Sequence, residues 1–366
     1  MRVLITASVQ SHICQFHKNL IINLRKHGYE VHIAARNNLA EKNGLKLDFA
    51  DTVHNIPFDR SPFNIKNNIK AYKELKKLLS KEKYDIIHCN TAVGGMLTRL
   101  AARKYRKQGT KVIYMAHGFY FYKGSSKKNW IFYPIEKIFA RLADVLITIN
   151  LEDFKLAKKK MKGPKVEYVP GIGIDIERFS SCMVDKKKKR EELGIPENYV
   201  WVLSVGELLP DKNHANIMKA IAEIPNVFYT VAGNGRLDVE LEALAEELNI
   251  KDRFKLLGYR LDVPELSNSA DIFAFPSKFE GLPVALMEAM VSGMAIVCAE
   301  VRGCTDLIDS KGGILVDPYN IEQIASAIRK LASEDTTAMK EYNHKKIQNF
   351  SKERVVEKML KIYSEI

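Results

Sequence analysis

The strongest constraint on the fold is an alternation of short apolar runs with helix-patterned segments, which occurs in both halves of the chain. An apolar run at 2–7 is followed by helical spacing over 12–27 and by a second run at 29–35. The same order restarts at residues 199–205. Strands that alternate with helices form parallel sheets with right-handed crossovers. The chain is therefore predicted to be α/β, with two Rossmann-like, doubly wound parallel-sheet domains.

A chain of 366 residues is long enough for two hydrophobic cores. We predict an N-terminal domain over 1–180 and a C-terminal domain over 181–352, with 171–196 composed like an interdomain linker. The helix-patterned segment 353–366 is expected to pack back on the first domain. Neither a long apolar run nor a signal-peptide pattern is found, and five scattered cysteines include no C-x-x-C pair. These features indicate a cytoplasmic protein without disulfides.

The positive charge lies in the first half of the chain. Residues 1–180 hold 33 Lys and Arg against 15 Asp and Glu, whereas the whole chain has a net charge of +13. Residues 119–133 also interleave aromatic side chains with Lys123, Lys127 and Lys128. This composition is typical of contact with an anionic membrane surface, or of stacking on single-stranded nucleic acid. Lysine side chains on solvated helix faces, together with a helix whose aromatic side chains are buried, would give the same sequence composition.

The segment 275–294 joins a strand pattern to a helix pattern and carries two carboxylates. Glu280 precedes the helix pattern and Glu288 lies inside it. Gly281 permits a close backbone approach, and Pro283 suits the start of a helix. The N-terminus of a helix attracts phosphate through its free N–H groups. An acidic pair beside such a site suits a diphosphate flanked by hydroxyl groups, as in a nucleotide-sugar.

Other strand-like runs end in polar or glycine residues, and the carboxyl ends of parallel strands share one edge of a sheet. In the second half these residues are Gly206, Lys212, Asn213, Gly233, Gly235, Gly258, Tyr259 and Arg260. In the first half they are Ser11, His12 and His17, in a predicted strand-to-helix loop, and His117. A lysine near glycines is a natural partner for a diphosphate, although Lys212 alone would suit a solvated surface and His17 a helix interior.

These motifs resemble the GT-B glycosyltransferases of glycosyltransferase family 4, over nearly the whole chain. The first half looks most like bacterial enzymes that extend capsular, exo- or O-antigen polysaccharide repeat units. The motifs that carry the resemblance are Val205-Gly206, Lys212-Asn213, Ala232–Gly235, Leu257–Arg260, Phe275–Ser277, Phe279–Pro283 with Glu288, Ser11-His12 with Phe16-His17, Asp85–His88, His117–Phe119 and Gly171–Asp175.

The resemblance implies that two domains face a central crevice and that a sugar is transferred with retention of anomeric configuration. Its catalytic residues would be His117, approaching the donor sugar, and Glu280, which would orient that sugar or in principle attack it. Glu288 would hold the ribose. The implied donor is a UDP-sugar, with its base held by the backbone at Gly258–Arg260. The implied donor site comprises Gly206, Lys212, Asn213, Gly233, Gly235, Gly258, Tyr259, Arg260, Gly281, Leu282, Pro283, Val284 and Glu288.

One departure from the family pattern concerns the phosphate side. Many members place an arginine where this chain has Glu207. Lys212 would then act with helix N–H groups alone, or with another cation such as Arg260. The chain has no D-x-D motif, so we predict no metal requirement, and no cofactor beyond the nucleotide-sugar substrate.

The predicted enzyme transfers a hexose or N-acetylhexosamine to a lipid-diphosphate-linked saccharide, at the inner face of the plasma membrane. The acceptor would contact Ser11, His12 and His17. The alternative enzyme is a UDP-sugar epimerase of GT-B fold, which would need no acceptor. A nucleic-acid-binding protein is disfavoured because no nucleic-acid module is recognisable, and a catalytically silent scaffold is the remaining alternative.

Overall fold

The computed structural model describes residues 1–41 and 44–366, which divide into two compact units. Unit 1 comprises Met1–Gly173 with Lys352–Ile366, and unit 2 comprises Ile174–Ser351. In the described part of the chain, no helix combines the length and the apolar character that crossing a bilayer requires.

Each unit is built on one parallel sheet. The strands of unit 1 are β1 (Arg2–Val9), β2 (Glu30–Arg36), β3 (Thr52–Asn55), β4 (Ile86–Asn90), β5 (Lys111–Ala116), β6 (Val145–Thr148) and β7 (Lys165–Tyr168). Those of unit 2 are β8 (Val200–Val205), β9 (Val227–Ala232), β10 (Phe254–Gly258), β11 (Ile272–Phe275), β12 (Ala295–Ala299) and β13 (Ile314–Val316). The central strands are buried almost end to end, because helices cover both faces of each sheet.

The helices follow the strands in alternation, as the sequence predicts. They are α1 (Gln10–Phe16), α2 (Lys18–Lys26), α3 (Ile65–Lys81), α4 (Ala92–Arg106), α5 (Phe132–Ala140), α6 (Leu151–Lys160), α7 (Ile176–Ser180), α8 (Lys186–Leu193), α9 (His214–Ala222), α10 (Asp238–Glu247), α11 (Val263–Ser269), α12 (Val284–Val291), α13 (Cys304–Leu307), α14 (Ile321–Ser333), α15 (Thr337–Ile347) and α16 (Lys352–Glu365). Two parallel-sheet units with these helices confirm the predicted fold class.

The strand order of each sheet identifies where a ligand can bind. The orders are β3-β2-β1-β4-β5-β6-β7 in unit 1 and β10-β9-β8-β11-β12-β13 in unit 2. The chain winds outward in one direction and then in the other, so the winding reverses between β1 and β4 and between β8 and β11. In open parallel sheets, ligands bind beyond the carboxyl ends of the strands at such a switch point. Each unit therefore has one favoured position for a site.

The predicted loop at 8–11 and the single helix over 12–27 are wrong in detail. The ladder between β1 and β2 continues across a register shift to the pair Val9 and Arg36, which keeps Ser8 and Val9 in the strand. The chain then enters α1 directly at Gln10. A break at His17 separates α1 from α2.

The expected linker over 171–196 is folded. Asp175 and Asp185 cap α7 and α8 by accepting hydrogen bonds from backbone N–H groups of the first helical turns. Within unit 2, α7 packs against α12 and α8 against α11. Phe179 on α7 is fully buried. The chain passes from unit 1 to unit 2 between Gly173 and Ile174, and the rest of this segment is a folded part of unit 2.

Candidate active site

The switch point of unit 2 brings Lys212 and Glu280 into direct contact. Lys212 follows β8 and Glu280 follows β11, and the Lys212 Nζ lies 2.6 Å from the Glu280 Oε1. Glu280 is buried and Lys212 is half-buried, with its ammonium 5.4 Å from the centre of the Phe275 ring. The two charges neutralise each other in this arrangement. A diphosphate or a sugar hydroxyl that enters the site therefore has to compete with the ion pair.

Glycines bring the loops beyond β8 and β9 into backbone contact. A Cβ atom on Gly233 would lie 1.8 Å from the Gly206 carbonyl oxygen, and one on Gly235 would lie 2.4 Å from that of Leu208. The Gly206 N–H donates to the Ala232 carbonyl. Larger residues would force the loops apart. The predicted glycines therefore determine how closely these loops approach each other at the edge of the sheet where Lys212 lies.

The residues before α12 form a second close backbone contact. Gly281, Leu282 and Pro283 lead into the helix, which begins at Val284 and has no side-chain cap. A Cβ atom on Gly303 would lie 2.4 Å from the Gly281 carbonyl oxygen. Close contact therefore fixes the position of the segment that carries Glu280.

The sequence reasoning missed Arg302 and Gly303. Arg302 is buried, its Nε donates to the Glu280 carbonyl at 3.2 Å, and its guanidinium lies 4.9 Å from the centre of the Phe279 ring. Both residues lie shortly after the apolar run of β12, beyond Glu300 and Val301. The sequence thus carries the same signal here as at the other strand ends, namely a polar residue next to a glycine. Arg302 places a second cation beside the backbone of Glu280.

Glu288 lies on the second turn of α12 in a poorly hydrated environment. Burial raises the pKa of its carboxyl group to about 7, and the positive charge of Arg178 opposes that rise. Because desolvation disfavours the charged form, Glu288 is a mixture of protonated and ionised forms at neutral pH. A carboxyl group in this state can accept or donate hydrogen bonds to ligand hydroxyl groups.

Two of the predicted donor residues are engaged in contacts within unit 2. The side-chain amide of Asn213 is buried and donates to the carbonyls of Pro276 and Pro318, so it ties loops together. The Arg260 guanidinium contacts Asp262 at 2.6 Å and Glu192 at 3.2 Å. To act as a second phosphate cation, Arg260 would have to exchange these acidic partners for the diphosphate, as Lys212 would exchange Glu280, and this role stays a prediction.

The remaining predicted residues lie at the end of β10. Gly258 has a positive φ of 67° and its carbonyl accepts from the Gly233 N–H, while the Tyr259 side chain is exposed. A backbone site for a nucleotide base at this position stays a prediction.

In unit 1, the predicted histidines gather into one cluster. His12, His17 and His117 each place a ring nitrogen within 4.8 Å of the others. Burial lowers the pKa of His117 to about 4 and holds the pKa of His12 and His17 well below the usual value. The three imidazoles are therefore neutral at neutral pH. Neutral imidazoles can accept or donate hydrogen bonds, and they are also the form that binds a metal ion, so the expected absence of a metal requirement stays a prediction.

The tautomer of His117 follows from its neighbour. Asn90 donates from its Nδ2 to the Thr6 carbonyl, which leaves its Oδ1 as an acceptor 3.2 Å from the His117 Nε2. His117 therefore carries its proton on Nε2 and has a lone pair on Nδ1.

The structure places Ser11 and His12 in the first turn of α1 rather than in a loop. Ser11 is buried, its N–H donates to the Asn38 Oδ1 and its Oγ accepts from the Asn38 Nδ2. Ser11 thus anchors the start of α1, and the expected direct contact with an acceptor is not supported for its side chain. His17 is also buried, but it lies at the break between α1 and α2 rather than in a helix interior.

Comparison with known proteins agrees with this geometry. Residues 2–150 match the family described as glycosyl transferase 4-like, and residues 185–352 match glycosyl transferases group 1. The chain is 35% identical over 373 residues to EpsD of Bacillus subtilis (strain 168), which is named provisionally as a glycosyltransferase, covering 99% of this chain and 96% of EpsD.

A second relative has a more specific name. The chain is 30% identical over 310 residues to the UDP-Gal:alpha-D-GlcNAc-diphosphoundecaprenol alpha-1,3-galactosyltransferase of Escherichia coli, covering 81% of this chain and 79% of the relative. Among solved structures, HepE of Anabaena in complex with UDP-glucose superposes with a TM-score of 0.80 at 20% identity, over 100% of both chains. The chain therefore belongs to the GT-B glycosyltransferases of group 1 and family 4, and it is a glycosyltransferase with relatives that act on lipid-diphosphate-linked saccharides.

Proposed function

We propose that this enzyme transfers a hexose or an N-acetylhexosamine from a UDP-sugar to a lipid-diphosphate-linked saccharide, with retention, in capsule, exopolysaccharide or O-antigen synthesis. The observation that carries the proposal is the contact between Lys212 and Glu280 at the switch point of unit 2. A cation for phosphate and a carboxylate for hydroxyl groups stand side by side where a doubly wound sheet binds its ligand. The name of the Escherichia coli relative supports both the UDP-linked donor and the type of acceptor.

In the proposed reaction, the bond between the anomeric carbon and the phosphate oxygen breaks while a bond to the acceptor oxygen forms. The proton of the acceptor hydroxyl passes to an oxygen of the departing phosphate, on the same face of the sugar. Negative charge grows on UDP, and Lys212 and the start of α12 are positioned to stabilise it. Lys212 must exchange Glu280 for the diphosphate, which frees the Glu280 carboxylate to accept hydrogen bonds from the sugar.

We assign two further residues in this reaction. Glu288 would hold the ribose, and its partly protonated carboxyl group would ionise fully as hydroxyl donors replace the lost hydration. His117 would hydrogen-bond to the transferred sugar as a neutral imidazole, through the lone pair on its Nδ1. Ionisation of Glu288 on donor binding releases its proton to solvent, whereas the contact of His117 with the sugar needs no proton transfer.

A thermal-shift comparison of UDP- and GDP-sugars tests the donor. A ligand that binds only the folded state at 100 times its Kd stabilises that state by about 2.7 kcal/mol. We expect UDP and UDP-sugars to raise the unfolding temperature, and GDP-sugars to leave it unchanged. A response to GDP-sugars alone would contradict the proposed donor.

We also propose that α5 and the loop before it contact the anionic inner leaflet. Ile131, Ile135 and Ile138 are exposed and their spacing places them on one face. Lys123, Lys127 and Lys128 are exposed just before them. An apolar helix face flanked by lysines is the composition of an interfacial membrane contact.

The aromatic residues of this segment divide between two roles. Phe119 and Phe121 are buried and stack with ring centres 4.8 Å apart, so they belong to the core of unit 1. Trp130 is exposed, and it is the interleaved aromatic residue that the proposal assigns to the outer surface.

Liposome sedimentation tests this contact. Exchange of Lys123, Lys127 and Lys128 for Glu should release the protein from vesicles that contain phosphatidylglycerol, because polybasic binding gains about 1 kcal/mol per Lys near the surface. The exposed residues Lys158, Lys159 and Lys160 on α6 provide a control with the same change of charge. Equal binding of both triple variants would rule out a specific contact through the α5 segment.

A further inference from the structure

The switch point of unit 1 holds a cavity whose lining residues, apart from His12, have no role in the reaction described so far. Its volume is about 230 Å³, and its lining includes Ser8, His12, Arg60, Thr91 and Tyr120. Ser8 lies near the carboxyl end of β1, and Thr91 directly follows β4, so the cavity occupies the position that the sheet order favours for a ligand. Clefts for drug-sized ligands measure about 300–1,000 Å³. This smaller volume suits a single sugar ring.

The floor of the cavity is fixed by contacts between the two central strands. Thr91 adopts φ 63° and ψ 156°, a conformation that non-glycine residues rarely take. Its Oγ1 lies 2.8 Å from the Ser8 Oγ and accepts from the Ser8 N–H at 3.2 Å. A Cβ atom on Gly94 would approach the Thr91 Oγ1 to 2.8 Å. The hydroxyl groups are thus held in place before any ligand arrives.

Arg60 supplies an available positive charge at the cavity. Its side chain is exposed, and among residues 1–41 and 44–366 its guanidinium forms neither an ion pair nor a hydrogen bond. The adjacent carboxylate of Asp59 is already occupied, since it accepts from the Ser61 N–H and the Asn64 Nδ2. A planar guanidinium with unused donors binds phosphate in a bidentate manner.

The other walls provide what a sugar ring needs. The Tyr120 ring is 51% exposed and offers an aromatic face against which the C–H face of a sugar can pack. The Nε2 of His12 is buried and has no hydrogen-bond partner in the described residues. A sugar hydroxyl that reaches this nitrogen would satisfy it, which removes the cost of an unpaired buried polar atom.

We propose that this cavity binds the sugar phosphate portion of the acceptor, with the sugar between Tyr120 and Thr91 and the adjacent phosphate on Arg60. This inference rests on the proposed function, since it assumes that the acceptor is a lipid-diphosphate-linked saccharide. It assigns to Arg60, Thr91 and Tyr120 a role in acceptor recognition that the sequence motifs did not indicate.

Binding of two synthetic glycolipids tests the subsite. The probes are octyl diphosphate-linked alpha-N-acetylglucosamine and octyl alpha-N-acetylglucosaminide, which lacks the diphosphate, each titrated into the full-length protein with UDP present. We expect the wild type to prefer the diphosphate probe by at least about tenfold, which corresponds to one charge-assisted phosphate contact. Arg60→Gln should abolish that preference and leave UDP affinity unchanged. The matched control is Arg103→Gln, which should keep the preference. Arg103 is exposed and lies in the last turn of α4, whereas the cavity lies at the start of that helix.

The outcomes separate this subsite from the proposed function. If Arg60→Gln keeps the preference for the diphosphate probe, the subsite is wrong and the proposed function stands. Weaker UDP binding by Arg60→Gln with unchanged probe binding would assign Arg60 to the donor and also overturn the subsite. A wild type that binds UDP but neither glycolipid would contradict the proposed acceptor, and the subsite with it.

Discussion

At the scale of single residues, Lys212 and Glu280 neutralise each other until a ligand separates them. We expect Lys212→Met to lower kcat by about 10²–10³-fold, the usual loss when one group that stabilises developing negative charge is removed. It should also weaken UDP binding, because the diphosphate loses its cation. Steady-state kinetics and UDP titration measure both effects. Lys219→Met removes an exposed lysine from α9 and should change neither, whereas unchanged UDP affinity in Lys212→Met would refute the assigned role.

Glu288 gives a pH-dependent prediction. Its pKa is about 7 in the folded protein against 4.5 for an ordinary glutamate. The folded state therefore binds more protons than the unfolded state between these values, and this carboxyl group lowers stability progressively as the pH rises from about 4.5 to 7. Glu288→Gln should exceed the wild type in stability at pH 8 by up to about 3 kcal/mol, and by much less at pH 5.

Urea unfolding at the two pH values measures this difference, and UDP affinity should fall in the same variant. Glu247→Gln, an exposed residue on α10, is the control and should show no such dependence on pH. A Glu288→Gln variant that is equally destabilised at both pH values would show that the carboxyl group forms a favourable contact rather than a desolvated one.

At the scale of elements, the histidines that line α1, β4 and the end of β5 should make unit 1 sensitive to acid. Burial lowers the pKa of His88 to about 3 and that of His117 to about 4. The unfolded chain takes up protons at these residues below about pH 6.5, whereas the folded chain does not. Their contribution to stability is thus complete above about pH 6.5 and is lost as the pH falls toward 4.

When the pH is lowered from 7 to 5, the histidines should shift the midpoint of urea unfolding to lower urea concentration, and His117→Gln should lose less of its midpoint than the wild type over this range. Replacement of the exposed His27 by Gln should leave the wild-type pH dependence intact. If His117→Gln follows the wild-type curve at every pH, the imidazole is not held neutral by the fold.

The elements also show what the sequence could predict. Both sheets and the sets of residues at their carboxyl ends followed from the alternation of apolar runs and helical spacing, which is a local signal. The break at His17 could not be predicted, because the apolar spacing of the sequence continues across it. The start of the helix was also hidden, because it is set by the pairing of Val9 with Arg36 in the sheet. The outward face of α5 was equally hidden, since Ile135 and Ile138 have the spacing of a buried stripe.

Within the candidate site, residue types were predictable but partners were not. Glu280 and Lys212 were identified separately, and their contact depends on β8 and β11 being neighbours in the sheet. The engagement of Arg260 by Asp262 and Glu192 depends on the packing of α8 near the end of β10. Such contacts between distant segments are set by the tertiary fold, which spacing along the chain does not reveal.

At the scale of the whole molecule, the two units are proposed to bind different substrates. Unit 2 carries the residues assigned to the donor, and unit 1 carries the cavity at Arg60, the apolar face of α5 and most of the positive charge. An anionic, lipid-linked acceptor would favour this distribution. The electrostatic part of membrane binding should weaken as salt rises, since the Debye length falls to about 3 Å at 1 M salt.

Sugar transfer to a defined acceptor tests the central claim most directly. Purified protein is incubated with radiolabelled UDP-sugars and N-acetylglucosamine-diphospho-lipid, with Glu280→Gln as the comparison, and the product linkage is read by NMR. We predict a lipid-linked disaccharide with the anomeric configuration of the donor, formed by the wild type and at a much lower rate by Glu280→Gln. Conversion of the UDP-sugar without any acceptor, or equal rates for the two proteins, would contradict the account.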